Sequence, residues 1–473
     1  MFGIIYIVFF FSILQATIST FLSIALALPI AHFLYLYNFT GRRLCIALAC
    51  MLCIMPTKLV VLCTNLFFGA TGFSGIILAH LMLNIPFTLY IINSTYEKLD
   101  GTLVWLAADS GASGWQCYKD IIFPLLKPTI ISIVLLLFLL HFASFSIPLL
   151  MGGSLYHNTP EIMIYNMHSQ GNNLFMFIFW LVRLVVIIPL FFAHNRYAIQ
   201  KVKSSSVVNY LPRPNYSPFK YNIWWLVYVS SIAFIILGPL VALLIRALDK
   251  PVLQFFTSLF ALDKILGVPV SRIIINSVML AIVSGLGSVI IGFIMGVLEF
   301  KLKNRWGKYF ISFLTVATFF VGSVGIGILF AYLSYGKFIS SFAIGVLCHI
   351  ILNYPFAYRI IRAQMVLYHS DLHKTAQTFG ATIKKALLTV AIPFILPALF
   401  RAFCISFGLS LTEVGAGTIL KGKIGLTMPM AIRIYRKSGD QSSVIGLSLI
   451  LLALVLSVTY LFSYKKEGLY NKF

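Results

Sequence analysis

Residues 80–128 read HLMLNIPFTLYIINSTYEKLDGTLVWLAADSGASGWQCYKDIIFPLLKP, and residues 349–397 read HIILNYPFAYRIIRAQMVLYHSDLHKTAQTFGATIKKALLTVAIPFILP, a related stretch 269 positions later. Laid over each other without a gap, the two share thirteen identities in forty-nine positions. The shared residues are punctuation rather than bulk. His80, Asn84, Pro86 and Phe87 fall on His349, Asn353, Pro355 and Phe356, and further along Gly111, Ala112, Pro124 and Pro128 fall on Gly380, Ala381, Pro393 and Pro397. A common apolar composition would match leucines; it would not align glycines, prolines and a histidine. The chain therefore reads as a duplication.

The medium in which the duplicated unit folds follows from composition. Of 473 residues, 60% are hydrophobic and 10% charged, more apolar surface than a water-soluble fold can hide. A bilayer core is about 30 Å thick and takes roughly 20 apolar residues per helix, and such runs follow one another along the whole chain. Backbone groups find no water inside lipid, so the runs are expected to be helices. Eleven spans are expected, at 5–36, 44–70, 73–95, 128–150, 173–194, 222–246, 273–299, 309–333, 342–361, 394–415 and 444–463. The first is longer than a signal-peptide core and is not followed by a small-residue cleavage site, so it reads as a retained helix.

Six expected spans separate the two repeated segments, an even number, so both lie on the same side of the membrane and the duplication is parallel. The match extends back to the first span, which falls on 273–299, whereas the span at 222–246 has no earlier counterpart. The halves thus hold five and six helices. The first is expected over 1–200 and the second over 222–473. Between them, 201–221 belongs to a polar stretch with Lys201, Lys203, Arg213 and Lys220, no acid, and Pro212 and Pro214, which reads as a linker. The net charge of +23 could suggest nucleic acid, but the basic residues sit between spans rather than along one soluble face. They report orientation: with Arg42 and Arg43 cytoplasmic, most Lys and Arg fall inside, the N-terminus lies outside and the C-terminus inside.

Each repeated loop, 99–124 and 368–393, has room for a short helix of its own. Ala107, Ala108, Gly111 and Ala112 place small residues around a turn in the first, and Ala376, Gly380 and Ala381 do so in the second. Small residues let a helix sit deep in a partner's groove, and glycine lets the chain change direction after it. Pro124 and Pro393 then stand where a membrane helix restarts, a position at which the missing N–H costs little.

These two loops resemble the coupling-loop signature of ATP-binding-cassette importer permeases, Glu-Ala-Ala, three residues, Gly, then a proline beyond an apolar stretch. Trp105 and Lys374 stand where that signature has its glutamate. The resemblance implies a type I importer fold in which each loop docks on an ATPase subunit. Two loops in one chain imply the fused arrangement of thiamine and ferric-iron permeases, serving two copies of the ATPase, which binds the ATP, and receiving cargo from a periplasmic substrate-binding protein in the bacterial inner membrane. LHFASFSIPLLMGG (140–153) with TPEIMIYNM (159–167), and SLTEVGAGTIL (410–420) with TMPMAIRIY (427–435), are similar to thiamine permeases, with ferric iron the alternative cargo. A proton-coupled carrier is the rival of another class, which has no need of two glycine-centred loops.

Charges inside lipid are costly. Glu413, near the end of its span, either lines the translocation path or fixes helix packing by accepting hydrogen bonds. Arg183, in the middle of its span, needs a partner, and Glu413 is the candidate. Lys58 follows Pro56, where the helix can break, and is expected to reach the outer interface. His80 and His349 occupy matched positions and read as shared packing, with a proton relay as the alternative. The seven cysteines are scattered and read as small packing residues. Neither a Gly-x-x-x-x-Gly-Lys-Ser/Thr run nor histidines and acids at metal-ligand spacing occur, so no catalytic residue, metal ligand or cofactor site is expected.

Overall fold

The computed structural model describes residues 2–37, 42–52, 55–97, 99, 102–153, 157–198, 223–302, 304–333, 341–367, 377–380, 382, 385, 389, 392–420 and 425–470. The expected linker at 201–221 lies outside them. Among the described residues the protein is helical, and nine helices are long and apolar enough to cross a bilayer. The chain divides into two compact units, Met1–Ile245 and Arg246–Phe473.

In the first unit α1 (Phe2–Leu36) packs along α4 (Gly72–Tyr96) and α6 (Gly114–Phe142). Between α1 and α4 the expected span at 44–70 is broken into α2 (Arg42–Leu52) and α3 (Thr57–Phe68). Pro56 stands at the N-cap of α3, where its missing N–H leaves no helical bond unmade. Most of α3 is buried, Lys58 included, so Lys58 does not reach out to an interface. A short helix, α5 (Thr102–Asp109), precedes α6; after α6 come α7 (Ser146–Met151), α8 (Pro160–Ser169) and α9 (Asn173–Ala198).

Helix α10 (Ile223–Arg246) was expected to open the second half, yet it packs with the first. The Tyr228 hydroxyl donates to the Leu26 carbonyl at 2.9 Å, and the Phe67 ring lies against Phe234 and against Gly238, which has no side chain to hold it off.

The second unit holds α11 (Lys250–Thr257), α12 (Val270–Lys301), α13 (Arg305–Leu333), α14 (Ser341–Leu367), α15 (Ile392–Thr412), α16 (Gly415–Ile419), α17 (Met428–Ser438) and α18 (Gln441–Tyr470). Helix α13 takes a non-helical conformation at Gly322 (φ 75°, ψ 166°), a kink within the apolar segment. The spans expected at 44–70 and 309–333 are thus each broken, at Met55–Pro56 and at Gly322.

The order of elements repeats with the sequence. Adding 269 to the start of α7 gives Gly415, the start of α16, and adding it to Pro160 and Ser169 gives Pro429 and Ser438, the ends of α17 to within a residue. The small helices dock on the broken spans: α7 on α3, and α16 on α13, where a Cβ at Gly327 would lie 2.9 Å from the Ala416 Cα.

Candidate functional site

Helix α5 ends in a closed turn. The Ala112 N–H donates to the Ala107 carbonyl and the Gly111 N–H to the Ala108 carbonyl, both at 2.9 Å, with Gly111 left-handed (φ 88°). This six-to-one and five-to-two pair of bonds stops a helix at a glycine, because only glycine takes that backbone conformation without strain. The chain restarts at once. Ser113 caps α6 by accepting from the Gln116 N–H while its own N–H donates to Gln116 Oε1, so each end of the turn is satisfied locally.

The second loop builds the same turn. Gly380 is left-handed (φ 83°) and its N–H donates to the Gln377 carbonyl at 2.9 Å. The cap corresponds as well. Thr382, which falls on Ser113, accepts from the Lys385 N–H at 3.3 Å, the distance found between Ser113 and Gln116. Ala376, Ala381 and Lys374 lie outside the described residues.

Pro124 sits in the continuous helix α6 just past a π-helical stretch, Cys117–Ile122, and Pro393 is the second residue of α15. Pro124 therefore occupies a position where the helix is already distorted.

The first loop shows an apolar face to its surroundings. None of α5 is buried; Leu106 is 58% and Trp115 68% exposed, with Leu103 and Trp105 exposed beside them. In the second loop Phe379 is 86% exposed. Ala107, Ala108 and Ala112 lie among these residues without blocking access to them. Large apolar side chains thus stand exposed in both loops.

Within the bundles the matched histidines are both buried. His80 lies edge to face with His141, ring centroids 4.4 Å apart. The Thr20 hydroxyl stands 2.9 Å from His141 Nδ1, the Asn84 amide donates to its Nε2 at 2.8 Å, and the Gln15 amide donates to its carbonyl at 2.8 Å. Because the same Asn84 amide also donates to the His80 carbonyl, His141 Nε2 is the accepting nitrogen, and Nδ1 faces Thr20 with the proton. In the second unit His349 Nδ1 is 2.7 Å from the Ser410 hydroxyl, itself 2.8 Å from Ser284. Ser284 and Ser410 are Gln15 and His141 plus 269. One three-helix junction is thus held twice by hydrogen bonds made from different residues.

The carboxylate beside Arg183 is Glu161, not Glu413. Arg183 Nε and Glu161 Oε2 are 3.3 Å apart, with side chains 1% and 2% exposed. Arg183 is ten residues into α9, about 15 Å at 1.5 Å per residue, or half a bilayer core. Residues 170–172 turn the chain from α8 to α9, so Glu161, eight residues before the end of α8, is carried back about 12 Å to the same level. The sequence reading passed over Glu161 because it fell in an expected outer loop.

Glu413 lies in the second unit, half-buried, and its Oε1 accepts from the Ala416 N–H at 3.1 Å, fixing the entry to α16. Nearby, the Tyr435 hydroxyl donates to Asp263 Oδ2 at 2.7 Å, tying α17 to the loop before α12. Burial, together with the Asp263 carboxylate, pushes that phenol well above its usual range. No group of three or more His, Cys, Asp or Glu side chains that could hold a metal ion occurs among the described residues.

Residues 288–465 match the family described as binding-protein-dependent transport system inner membrane component. The chain is 32% identical over 174 residues to the thiamine transport system permease protein ThiP of Escherichia coli, covering 33% of this chain and 32% of that protein. It is 30% identical over 174 residues to the protein of the same name from Salmonella typhimurium, with the same coverage. Similarity to the ferric transport system permease protein FbpB of Actinobacillus pleuropneumoniae runs over 99 residues at 30% identity, 21% of this chain and 14% of that protein. The chain spans about a third of the length of the thiamine permeases it matches.

Proposed function

From the premise that residues 288–465 carry a domain of the binding-protein-dependent transport family, we propose that the whole chain is the fused membrane subunit of an ATP-binding-cassette importer. The observation that carries this reading is the turn built twice, 269 residues apart: a left-handed glycine and a side-chain cap two residues later, beside exposed apolar side chains. The match of residues 288–465 to this family supports reading the second turn as a coupling loop, and the shared geometry supports the same role for the first.

Each turn docks on one of two ATPase subunits on the cytoplasmic side, with the N-terminus of the chain outside and the C-terminus inside. ATP stays on the partners, and this chain performs no hydrolysis. Closure of the two ATPases on ATP draws the loops together and turns the pathway from outward- to inward-facing, after a periplasmic binding protein has delivered the cargo. The proposed cargo is thiamine, on the similarity to thiamine permeases; ferric iron is the second reading, on the shorter similarity to a ferric permease. Glu413 and Arg183 are proposed to shape the pathway by fixing helices rather than by touching cargo.

The test is reconstitution in vesicles with the ATPase and binding protein. Labelled thiamine is expected to enter only with ATP, and ferric iron is not. Uptake that persists without the ATPase identifies a secondary carrier instead. Introducing Gly111→Arg together with Gly380→Arg should abolish co-purification of the ATPase while membrane insertion persists; retained co-purification refutes the docking assignment.

A further inference from the structure

We propose that in the first half the stroke of the coupling loop reaches the membrane helices through Tyr118 and His32, aromatic rings that the matching positions of the second half lack. The inference rests on the importer reading above and adds to it the residues that convey motion. Helix α5 buries nothing, and among the described residues 102–122 only Cys117 and Ile122 are buried. A displacement of this loop therefore enters the unit through few side chains.

Tyr118 is the largest of those in contact with α1. It lies in the π-helical stretch, a local widening of the helix found often at functional positions. Its ring meets the His32 ring edge to face, centroids 4.5 Å apart at 61°. His32, one turn before the end of α1, has its Nδ1 3.1 Å from the hydroxyl of Tyr96, the last residue of α4. Tyr96 is fully buried and stacks on Tyr35 at 4.5 Å. At the other end exposed Trp115 stacks on Tyr118 at 5.7 Å.

The column Trp115, Tyr118, His32, Tyr96, Tyr35 thus runs from the face proposed to meet the ATPase into the junction of α1 and α4. Tyr96 and Tyr35, both buried, have no room to yield, so a push that reaches them through Tyr118 and His32 passes into the helices. Pushing Tyr118 moves α1 through His32 and α4 through Tyr96 together.

The duplicated positions lack these groups. Adding 269 to Trp115, Tyr118, His32 and Tyr96 gives Lys384, Leu387, Lys301 and Met365, none aromatic. The second half instead ties α12 to α14 by Glu299, which accepts from the Tyr358 hydroxyl and pairs with Arg362 at 2.6 Å. The two loops share a left-handed glycine and a side-chain cap and differ in the residues at these four positions.

The test measures thiamine taken up per ATP hydrolysed in vesicles holding the full complex. Tyr118→Ala is expected to keep the ATPase bound in wild-type amount and still hydrolysing, while uptake per ATP falls at least tenfold. Tyr118→Phe, which keeps the ring, should stay within twofold of wild type. His32→Ala should match Tyr118→Ala, and the double variant should be no worse than either, because the two act in series. If Tyr118→Ala fails to accumulate, Tyr118→Leu keeps the bulk, discards the ring and carries the same expectation. Unchanged uptake per ATP, or loss of the bound ATPase, overturns the linkage. A wild-type chain that binds no ATPase overturns the importer reading beneath it, an outcome seen before any variant is made.

Discussion

Replacing Arg183 by methionine removes the charge that faces Glu161 and leaves an acid 2% exposed at mid-membrane depth. Breaking a buried ion pair by deleting one partner costs about 3–5 kcal/mol, because the survivor keeps its desolvation cost without its attraction. Insertion scales put an uncompensated central charge at about 2.5–3.5 kcal/mol, the same range from an independent measure. Replacing both residues, as Glu161→Leu with Arg183→Met, removes both charges and fills similar volume, so it should recover most of the loss. The assay is equilibrium unfolding in mild detergent, comparing wild type, both singles and the double. The four values close a cycle whose coupling term should be at least ~2 kcal/mol. A double variant as unstable as the sum of its singles would mean that the two side chains do not depend on each other, and the hairpin of α8 and α9 is then pinned by something else.

Glu413→Gln should leave thiamine uptake within about twofold of wild type, since a glutamine oxygen still accepts from the Ala416 N–H, whereas Glu413→Leu should not; a dead Gln variant would show that the charge itself acts on the cargo. Gly292→Ala places a Cβ 2.7 Å from the Tyr358 backbone nitrogen, which cannot move aside, so α12 and α14 must part at a cost of about 1–3 kcal/mol in the same unfolding assay. Gly111→Ala meets nothing within 4 Å, so its only cost is the left-handed backbone, about 1–2 kcal/mol confined to the loop. Unfolding of the whole chain should barely change, and ATPase co-purification should weaken without being lost. Tyr435→Phe removes a hydrogen bond to a carboxylate and should cost roughly 1.5–3 kcal/mol, read as earlier loss of α17 protection in hydrogen exchange.

The duplication was legible because glycine, proline and asparagine are kept where the backbone has special needs. Gly111 and Gly380 align in sequence and share a left-handed conformation for one reason. The hydrogen-bonded junction was only half legible. His80 and His349 match, but their contacts differ: His141 meets the first and Ser410 the second, residues of different size that a comparison of letters scores as unrelated. The kink at Gly322 escaped an apolar-run reading, since hydropathy does not fall where a helix bends inside the bundle, whereas Pro56 marked its own break. Glu161 was the largest omission. Its depth is set by α8 doubling back along α9, and an acid in a short polar segment looks solvated until that fold-back is known.

What the halves share and what they do not separate two kinds of constraint. The turn at each glycine, the short helix on each broken span and the three-helix junction recur at one offset, so both halves keep the geometry that any such bundle needs in order to hold and present a loop. The charged contacts do not recur. Glu161 and Arg183 fall on Met430 and Leu452, while Glu299 and Arg362 fall on Ile30 and Asn93. A buried ion pair adds little net stability over an apolar pair of the same volume, so bundle stability alone gives no reason to place one in only one half. Each instead fixes a different helix pair: α8 with α9 in the first unit, α12 with α14 in the second. Two halves stiffened at different joints respond unequally to equal displacements of their loops, and that inequality is what a single chain can encode and two identical subunits cannot.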